Sequence, residues 1–426
     1  MRILDLNNFY APTGGGVRTY HERKLDFFAA RPEDRYTLVL PGTRERVEAR
    51  GAAQIVEVPA RAMGGAGYRA ITSGRRVAAL IAELRPELIE IGSPYLLPWL
   101  VRRALARAGL RCATVGFVHA DVPDTYVRPA LAARRLLRPL AGPATALAAR
   151  QMARTYRWMS ATFGASEHVL GKLRALGLRR LFHAPLGVEA ELFAPARRDL
   201  ELRRAHGIAD DERLVLFVGR LSGEKGIEHL LAAWPELAGR RDRAGARLRL
   251  VVAGHGPREA DVAALAAADP SIVRLDHLAG RAEVAGWMAS ADRFLALGAF
   301  ETFSLTTLEA LACATPVIAP DRGGAAELVR RLGAGATFDP DAPGALAKAI
   351  LDAASPTTAQ TAHLRRTIEA EYTWTAACAR LRRAYARVVE AEAAGERARL
   401  EAPDGWWPAQ RSASPADPPG KIGDSV

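Results

Sequence analysis

The stretch FLALGAFETFSLTTLEALACATPVIAPDRGG, residues 294–324, decides the fold of this 426-residue chain. It begins with an apolar run, residues 294–297, that is short enough for a buried parallel strand. A polar turn follows at residues 301–304, and leucines at every third position then predict a helix with one apolar side. A proline interrupts that pattern before a second apolar run, residues 317–319. The order strand, loop, helix, strand is the unit of a parallel α/β sheet.

The loop of this unit predicts a site for an anion. In a parallel sheet the loop after a strand lies at the carboxyl edge, and the next helix presents its N-terminal N–H groups there. Glu301 and Glu309 flank the site. In one continuous helix, eight positions would separate them by roughly 80° and about 12 Å, so the loop has to bring Glu301 round. A carboxylate beside an anion-binding helix end suits hydroxyl recognition or an oxocarbenium-like centre better than packing.

Glu309 has two interpretations at this point. The segment Thr306 to Glu309 matches the Ser/Thr-x-x-Glu capping box, a purely structural device. The same carboxylate is also placed to bind a ligand. The spacing alone does not separate the two.

The stretch resembles the retaining glycosyltransferases of family 4, which have the GT-B fold. The resemblance rests on motifs in the family's order: the Glu301-x7-Glu309 pair, the Thr315-Pro316-Val317 strand start and the Gly323-Gly324 turn before Glu327. It covers about residues 1–389. Many members have Gly where this chain has Thr302 and Ala314. The Glu-Thr-Phe sequence is most similar to the mannosyltransferase and glycolipid-forming branch. The resemblance implies an α/β chain with two Rossmann-like domains facing a central cleft.

Length and pattern agree with two domains. A chain of 426 residues, 49% of them hydrophobic, exceeds one core of ordinary size. An irregular stretch after residue 185 separates two α/β patterns, as in the family's crossing between domains. We expect an N-terminal acceptor domain at 1–184, a nucleotide-sugar domain at 185–371, a helix at 372–400 that crosses back, and a disordered tail at 401–426 in which Trp406-Trp407 could touch a membrane or a partner.

Charge is concentrated in the first half. Residues 1–190 contain 29 Lys and Arg against 15 Asp and Glu, and the remainder contains 30 against 32. Residues 125–166 hold seven arginines, interleaved leucines and no acidic residue. Three interpretations are open: a solvated helix face, a surface for anionic lipid headgroups, or a nucleic-acid contact. We expect peripheral contact with an anionic membrane and no nucleic-acid partner.

The compartment is predicted from several weaker signals. No apolar run approaches 18 residues, and the start Met1-Arg2-Ile3-Leu4-Asp5 places charges where a signal peptide is apolar. Cys112, Cys313 and Cys378 are far apart and predict buried thiols in a reducing cytosol. We expect a cytoplasmic protein, on or near the inner face of the membrane.

Turns in the second half supply cations. Arg220 ends one predicted strand and Lys225 precedes a helix, so both lie at one carboxyl edge, the layout expected for a diphosphate. Glu224 between them is in place to orient the pair. The turn Gly254-His255-Gly256 lacks the third glycine of a dinucleotide fingerprint and has either a structural or a nucleotide-adjacent role.

The first half contributes glycines and a histidine. Gly15 and Gly16 follow the predicted strand at residues 2–6, and the resemblance implies that their loop closes on the donor. His119 ends the predicted strand at residues 113–118, a better place for chemistry than most lone histidines have. Family members have a histidine here that reaches the transferred sugar.

The resemblance implies further roles in the donor site. His277 and Leu278 belong to the segment that holds the nucleobase through backbone groups. Ser304 and Leu305 begin the helix whose N-terminus faces the diphosphate, and Glu309 holds the ribose hydroxyls. No metal or other cofactor is expected, because Asp339-Pro340-Asp341 reads as a turn and helix cap.

Together with these residues, the resemblance implies an enzyme that transfers a hexose, mannose or glucose, from a GDP- or UDP-sugar to an acceptor hydroxyl with retention. Arg220 and Lys225 would stabilise the leaving diphosphate, while Glu301 and His119 would hold the sugar. The acceptor would belong to glycolipid, lipid-linked oligosaccharide or envelope polysaccharide synthesis. The rivals are a GT-B sugar-nucleotide epimerase or hydrolase, and a non-catalytic basic membrane-binding module.

Overall fold

The protein contains two large, mainly parallel sheets. Its structure, a computed structural model, describes residues 1–10, 15–63, 67–276, 278–397 and 400. The predicted tail, with Trp406-Trp407, and His277 lie outside the described residues.

The first sheet has eight strands within the described residues. These strands are β1 (Arg2–Leu6), β2 (Arg35–Gly42), β3 (Arg46–Arg50), β4 (Ala53–Pro59), β7 (Leu88–Ile91), β8 (Ala113–Val118), β9 (Ala161–Gly164) and β10 (Leu181–His183). Their spatial order is β10-β9-β8-β7-β1-β2-β4-β3, and the β3–β4 pair is antiparallel while the others are parallel. Two short strands, β5 (Arg61–Ala62) and β6 (Arg69–Ala70), form a separate antiparallel pair.

Helices alternate with these strands. They are α1 (Gly16–Ala29), α2 (Gly74–Leu84), α3 (Leu97–Ala108), α4 (Arg128–Ala132), α5 (Ala141–Arg157) and α6 (Glu167–Ala175). A π-helical turn, Pro123–Val127, precedes α4. The Ser166 hydroxyl accepts a hydrogen bond from the Val169 N–H and so caps the N-terminus of α6.

The second sheet has six strands in the described part of the chain, all parallel. They are β11 (Arg213–Val218), β12 (Leu248–Ala253), β13 (Ile272–Leu275), β14 (Arg293–Leu295), β15 (Val317–Pro320) and β16 (Gly335–Phe338), in the order β13-β12-β11-β14-β15-β16. The associated helices are α7 (Leu200–Ala205), α8 (Ile227–Leu237), α9 (Glu259–Ala268), α10 (Arg281–Ser290), α11 (Leu305–Ala312), α12 (Gly323–Leu332), α13 (Ala345–Asp352) and α14 (Thr358–Glu371). A short 3-10 turn, Gly223–Lys225, lies between β11 and α8.

The last described helix, α15 (Trp374–Ala393), packs on the first sheet. The Thr373 hydroxyl caps its N-terminus. Leu381 and Tyr385 are buried in the same core as residues of β1 and β8. Arg382 pairs with the buried Asp34, at 2.5 Å from Nε to Oδ2. The helix predicted near residue 372 is therefore present, and it contacts the first half of the chain.

Two local expectations were wrong. Asp339 forms a turn by accepting from the Asp341 N–H at 2.9 Å, but α13 has Gly344 at its N-cap, so the expected helix cap is absent from this described segment. Cys112 is only partly buried, unlike Cys313 and Cys378.

Candidate active site

The two sheets meet where β8 and the turn after β14 face each other. The Thr302 hydroxyl donates a hydrogen bond to the His119 carbonyl oxygen at 3.0 Å. The glycine loop reaches the same place, because a Cβ added to Gly16 would lie 3.2 Å from Cδ1 of Leu305. Gly15 is the N-cap of α1, and Leu305 is the first residue of α11. The structure thus brings together the predicted glycine, histidine and glutamate segments.

Glu301 and Lys225 form a direct ion pair at the centre of this site. The Lys225 Nζ lies 2.5 Å from Glu301 Oε1, with 36% and 22% of the two side chains exposed. Close backbone packing creates the pair, since a Cβ on Gly226 would lie 2.2 Å from the Leu297 carbonyl oxygen. The Glu301 charge raises the pKa of Lys225. The sequence predicted both residues in one site, but it did not predict the ion pair between them.

Arg220 is the more open of the two predicted diphosphate cations. Its side chain is 53% exposed and lies 3.8 Å from the Glu224 carboxylate. The turn that carries it packs on a glycine turn: Cβ atoms on Gly254 and Gly256 would lie 2.0 Å from the Gly219 carbonyl oxygen and 2.5 Å from the Leu221 carbonyl oxygen. The two glycines of the 254–256 turn therefore have a structural role.

Glu309 is a buried carboxylate, not a helix cap. Because α11 begins at Leu305, Glu309 is the fifth helical residue and lies beyond the N3 position of a capping box. Its side chain is 9% exposed, and Oε1 accepts from Arg281 Nη2 at 3.0 Å. Burial raises the pKa of Glu309 to about 7, although the Arg281 charge opposes that rise. The capping interpretation is wrong.

The start of α11 is strained. Ser304, its N-cap, has φ 72°, the left-handed region that costs a residue with a side chain of order 1–3 kcal/mol. The Ser304 hydroxyl accepts from the Thr307 hydroxyl at 2.9 Å and caps none of the described backbone N–H groups. The first N–H groups of α11 consequently keep their capacity to bind an anion.

His119 presents a neutral imidazole. The ring stacks on Phe117, with 4.6 Å between centroids, and lies 5.1 Å from Tyr20. Its Nε2 is buried and has no hydrogen-bond partner among the described residues. Burial, and then the nearby His21 and Lys24, hold the pKa of His119 well below its usual value. A neutral imidazole nitrogen can exchange a hydrogen bond with a hydroxyl of a bound ligand.

A buried ionic cluster lies behind His119 and was missed from the sequence. Lys24 Nζ lies 2.5 Å from Asp5 Oδ2 and 2.7 Å from Glu90 Oε1, with all three side chains fully buried. Burial opposes ionisation of Asp5, but Lys24 and His21 outweigh it and lower its pKa. Burial raises the pKa of Glu90 to about 7. The available signal was one acidic residue inside each apolar strand, RILDL and LIEI.

Two further observations bear on binding. Leu278 is buried in the core, so its side chain is a packing group. No helix among the described residues has the length and hydropathy needed to cross a bilayer.

Comparisons with known proteins identify both halves of the chain. Residues 14–192 match the model described as "Glycosyltransferase Family 4", and residues 212–355 match "Glycosyl transferases group 1". A GDP-mannose-dependent alpha-(1-6)-phosphatidylinositol dimannoside mannosyltransferase of Mycobacterium tuberculosis is 32% identical over 333 residues, which is 77% of this chain and 82% of that protein. A GDP-mannose-dependent alpha-mannosyltransferase of Corynebacterium glutamicum is 29% identical over 77% of this chain and 74% of its own length.

Solved structures confirm the predicted GT-B fold. Sucrose-phosphate synthase from Thermosynechococcus elongatus has a TM-score of 0.69 at 19% identity, covering 92% of this chain and all of that chain. Anabaena HepE in complex with UDP has a TM-score of 0.64 at 16% identity, covering 90% of this chain and 99% of its own. At such identities the likeness concerns the fold alone.

Proposed function

Because this chain belongs to the group 1 glycosyltransferases of family 4 and is a hexosyltransferase that uses a nucleotide sugar, we propose that it transfers mannose from GDP-mannose, with retention, to a hydroxyl of a lipid-linked acceptor. Two of the relatives are named as GDP-mannose-dependent mannosyltransferases, and one of these names includes phosphatidylinositol dimannoside. Those names support the choice of mannose and guanine, and the site supports the chemistry.

The observation that carries the proposal is the Glu301–Lys225 pair, 2.5 Å apart, in the turn that hydrogen-bonds to the His119 backbone. A cation and an anion side by side suit a sugar diphosphate, which carries phosphate charge on one side of the anomeric carbon and hydroxyls on the other. Lys225 would bind a phosphate oxygen, and Glu301 would accept from sugar hydroxyls. His119 would complete the sugar site from the first sheet.

Leaving-group stabilisation follows from the charges around this pair. Negative charge builds on the diphosphate as the bond to the anomeric carbon breaks. Lys225, Arg220 and the unfilled N–H groups of α11 would bind that charge in positions fixed before reaction. Since Lys225 pairs with Oε1 of Glu301, this carboxylate is a poor nucleophile and is suited to accepting sugar hydroxyls instead.

Retention would then follow from attack on the same face that the diphosphate leaves. The acceptor oxygen bonds to the anomeric carbon as the bond to the phosphate oxygen breaks. The acceptor's proton passes to the departing phosphate oxygen, so the products are the mannoside and a protonated nucleoside diphosphate. Glu309 would hold the ribose, and Gly15 and Gly16 would close over the donor.

The basic face of the first half supports a membrane-bound acceptor. All seven arginines of residues 125–166 are exposed: Arg128, Arg134, Arg135, Arg138, Arg150, Arg154 and Arg157. Among them, Leu136, Leu140 and Leu147 expose 93%, 55% and 68% of their surface. Apolar side chains this open beside cations suit the headgroup region of an anionic bilayer. We propose that this arginine-leucine face docks the enzyme beside its acceptor.

The test is a donor panel followed by product analysis. Thermal unfolding would be measured with GDP-mannose, UDP-glucose and ADP-glucose, because a ligand at 100 times its Kd adds about 2.7 kcal/mol of stability. GDP-mannose should give the largest shift. Product analysis with and without a phosphatidylinositol mannoside should show mannose on the acceptor. Release of free mannose or an epimerised sugar nucleotide in equal amount without acceptor would refute the transferase proposal.

A further inference from the structure

Glu309, the carboxylate of the proposed donor-sugar site, lies at one end of a chain of ion pairs that crosses between the two sheets. Arg281 Nη2 is 3.0 Å from Glu309 Oε1 and 2.5 Å from Glu189 Oε2. The other oxygen of Glu189 is 2.6 Å from Arg23 Nη2 on α1. The order is thus Glu309, Arg281, Glu189, Arg23, with opposite charges alternating.

The place of Arg281 is not explained by helix stability. It is the first residue of α10 and follows Gly280. A cation at a helix N-terminus opposes the helix dipole, which favours carboxylates there. Glu189 and Glu309 offset that cost, and the guanidinium also lies 5.1 Å from the centre of the Phe193 ring. A cation held against the local helix field has a purpose outside α10.

That purpose concerns the charge of Glu309. Its side chain is 9% exposed, and burial favours the protonated form, whereas Arg281 favours the carboxylate. Among the described residues, Glu189, which faces Arg281 from the linker, and the thiol of Cys313, the C-cap of α11, also interact electrostatically with Glu309. A protonated Glu309 would lose acceptor capacity for two ribose hydroxyls.

We propose that Arg281, braced by Glu189, is a positioning residue of the donor site that increases the ionised fraction of Glu309 and orients its carboxylate to accept hydrogen bonds from the ribose. This inference rests on the proposed function, because a ribose-binding Glu309 is part of it. Arg281 acts through Glu309 and is not itself a catalytic residue.

The first arm of the test uses the protein without ligand. Thermal unfolding would be followed from pH 6 to pH 9 for the wild type, R281M and R281M/E309Q. Without Arg281 the folded-state pKa of Glu309 rises further above its unfolded value, so the folded state binds a proton that the unfolded state lacks. R281M should therefore lose stability relative to wild type as the pH rises, and R281M/E309Q should not. Parallel curves for wild type and R281M would overturn the inference.

The second arm measures GDP binding by calorimetry over the same pH range. With the pKa of Glu309 at about 7, about half of it is ionised at pH 7. Removing an opposite charge raises a pKa by at least ~1 unit, which leaves about one-tenth ionised and weakens apparent binding ~5-fold. R281M should show that loss at pH 7 and recover by pH 9. A loss of equal size at every pH would indicate direct ligand contact and overturn the positioning role.

Matched variants complete the design. R23M removes the same type of charge from the other oxygen of Glu189, leaves the Arg281–Glu309 pair, and should keep the wild-type pH profile. R281K keeps the charge but loses the forked geometry, so it should show a smaller shift in the same direction, and it replaces R281M if that variant does not fold. A wild type that binds no nucleotide would overturn the proposed function, and this inference with it. A wild type that binds GDP with an R281M profile unchanged would overturn the inference alone.

Discussion

Replacing Lys225 by alanine and Glu301 by glutamine, singly and together, tests the pair on which the proposed function depends. Their charged atoms are 2.5 Å apart and their side chains are 36% and 22% exposed. An ion pair this open contributes only about 0–1 kcal/mol to folding, so each variant should stay folded. The effect of the changes should appear in catalysis.

The expected magnitude follows from what each group does in the transition state. In the proposed function Lys225 is a preorganised donor to developing phosphate charge, and losing one such donor costs about 10²–10³ in kcat. Arg220→Ala should cost a similar factor by the same argument. Because Lys225 holds Glu301 in place, the two losses should not add. We expect a coupling free energy of about 1–2 kcal/mol, which makes the double variant ~5–30-fold more active than the product of the single effects predicts.

Steady-state kcat and KM for GDP-mannose would be measured for the wild type, the two single variants, the double variant and Arg220→Ala, with melting temperature as the check on folding. Lys348→Ala is the matched control, because Lys348 also pairs with a carboxylate, Asp352, but on the exposed surface of α13. It should leave kcat unchanged. Near-normal turnover in Lys225→Ala and Arg220→Ala would remove both from the diphosphate role. Fully additive effects of Lys225→Ala and Glu301→Gln would refute the reasoning about the pair.

Three other predictions follow from the departures and surfaces described above. Ala314→Gly should stabilise the protein by about 0.5–1 kcal/mol in chemical unfolding. Ala314 has φ 61°, and the cost of ~1–2 kcal/mol for a side-chain residue in the left-handed region exceeds the entropy cost of glycine. A lower unfolding midpoint would contradict this. Thr302→Ala should reduce kcat/KM about five-fold, because the His119 carbonyl loses the hydroxyl that donates to it at 3.0 Å. Thr302→Ser should keep most of the wild-type kcat/KM. Equal values for both variants would show that the hydroxyl is not responsible. Changing Arg134, Arg135 and Arg138 to Glu should abolish salt-sensitive co-sedimentation with anionic vesicles, since each basic residue contributes about 1 kcal/mol near such a surface. Vesicle binding that does not change with lipid charge, salt or these substitutions would leave a soluble acceptor as the better hypothesis.

The buried strands could be predicted from the sequence because their apolar runs are nearly continuous. The predicted bounds at residues 2–6 and 113–118 agree with β1 and β8. The strand β10 was not predicted, because it has only three residues and the sequence beside it shows no hydrophobic periodicity longer than a turn. Edge strands of this length contain too little periodicity to be recognised.

The sequence predicted which segments meet at the candidate site, but it did not predict the contacts between their side chains. Glu301 and Lys225 are separated by 76 positions, and the pair depends on the Gly226 backbone meeting the Leu297 carbonyl, which no spacing rule contains. Glu309 was ambiguous because a capping pattern is local, whereas the true start of α11 depends on Ser304 taking a left-handed conformation. Arg281 was not predicted as a site residue, because an arginine after glycine is common in sequences. It becomes informative only when the structure places it beside the carboxylates of Glu189 and Glu309.

The ionic cluster behind His119 also sets an order of events during synthesis. Tyr385 of α15 hydrogen-bonds to Glu90 and accepts from Lys24 Nζ at 3.4 Å, so the last described helix closes a charged core built by the first ninety residues. Buried charges are tolerable only when their partners are in place. While the ribosome is still making the second half, Lys24 on α1 and Glu90 on β7 lie under an incomplete cover. The N-terminal half should therefore reach its final packing only after α15 has emerged. A nascent chain that stops before residue 374 should bind chaperones more strongly than expected of a chain whose first sheet is already complete in sequence.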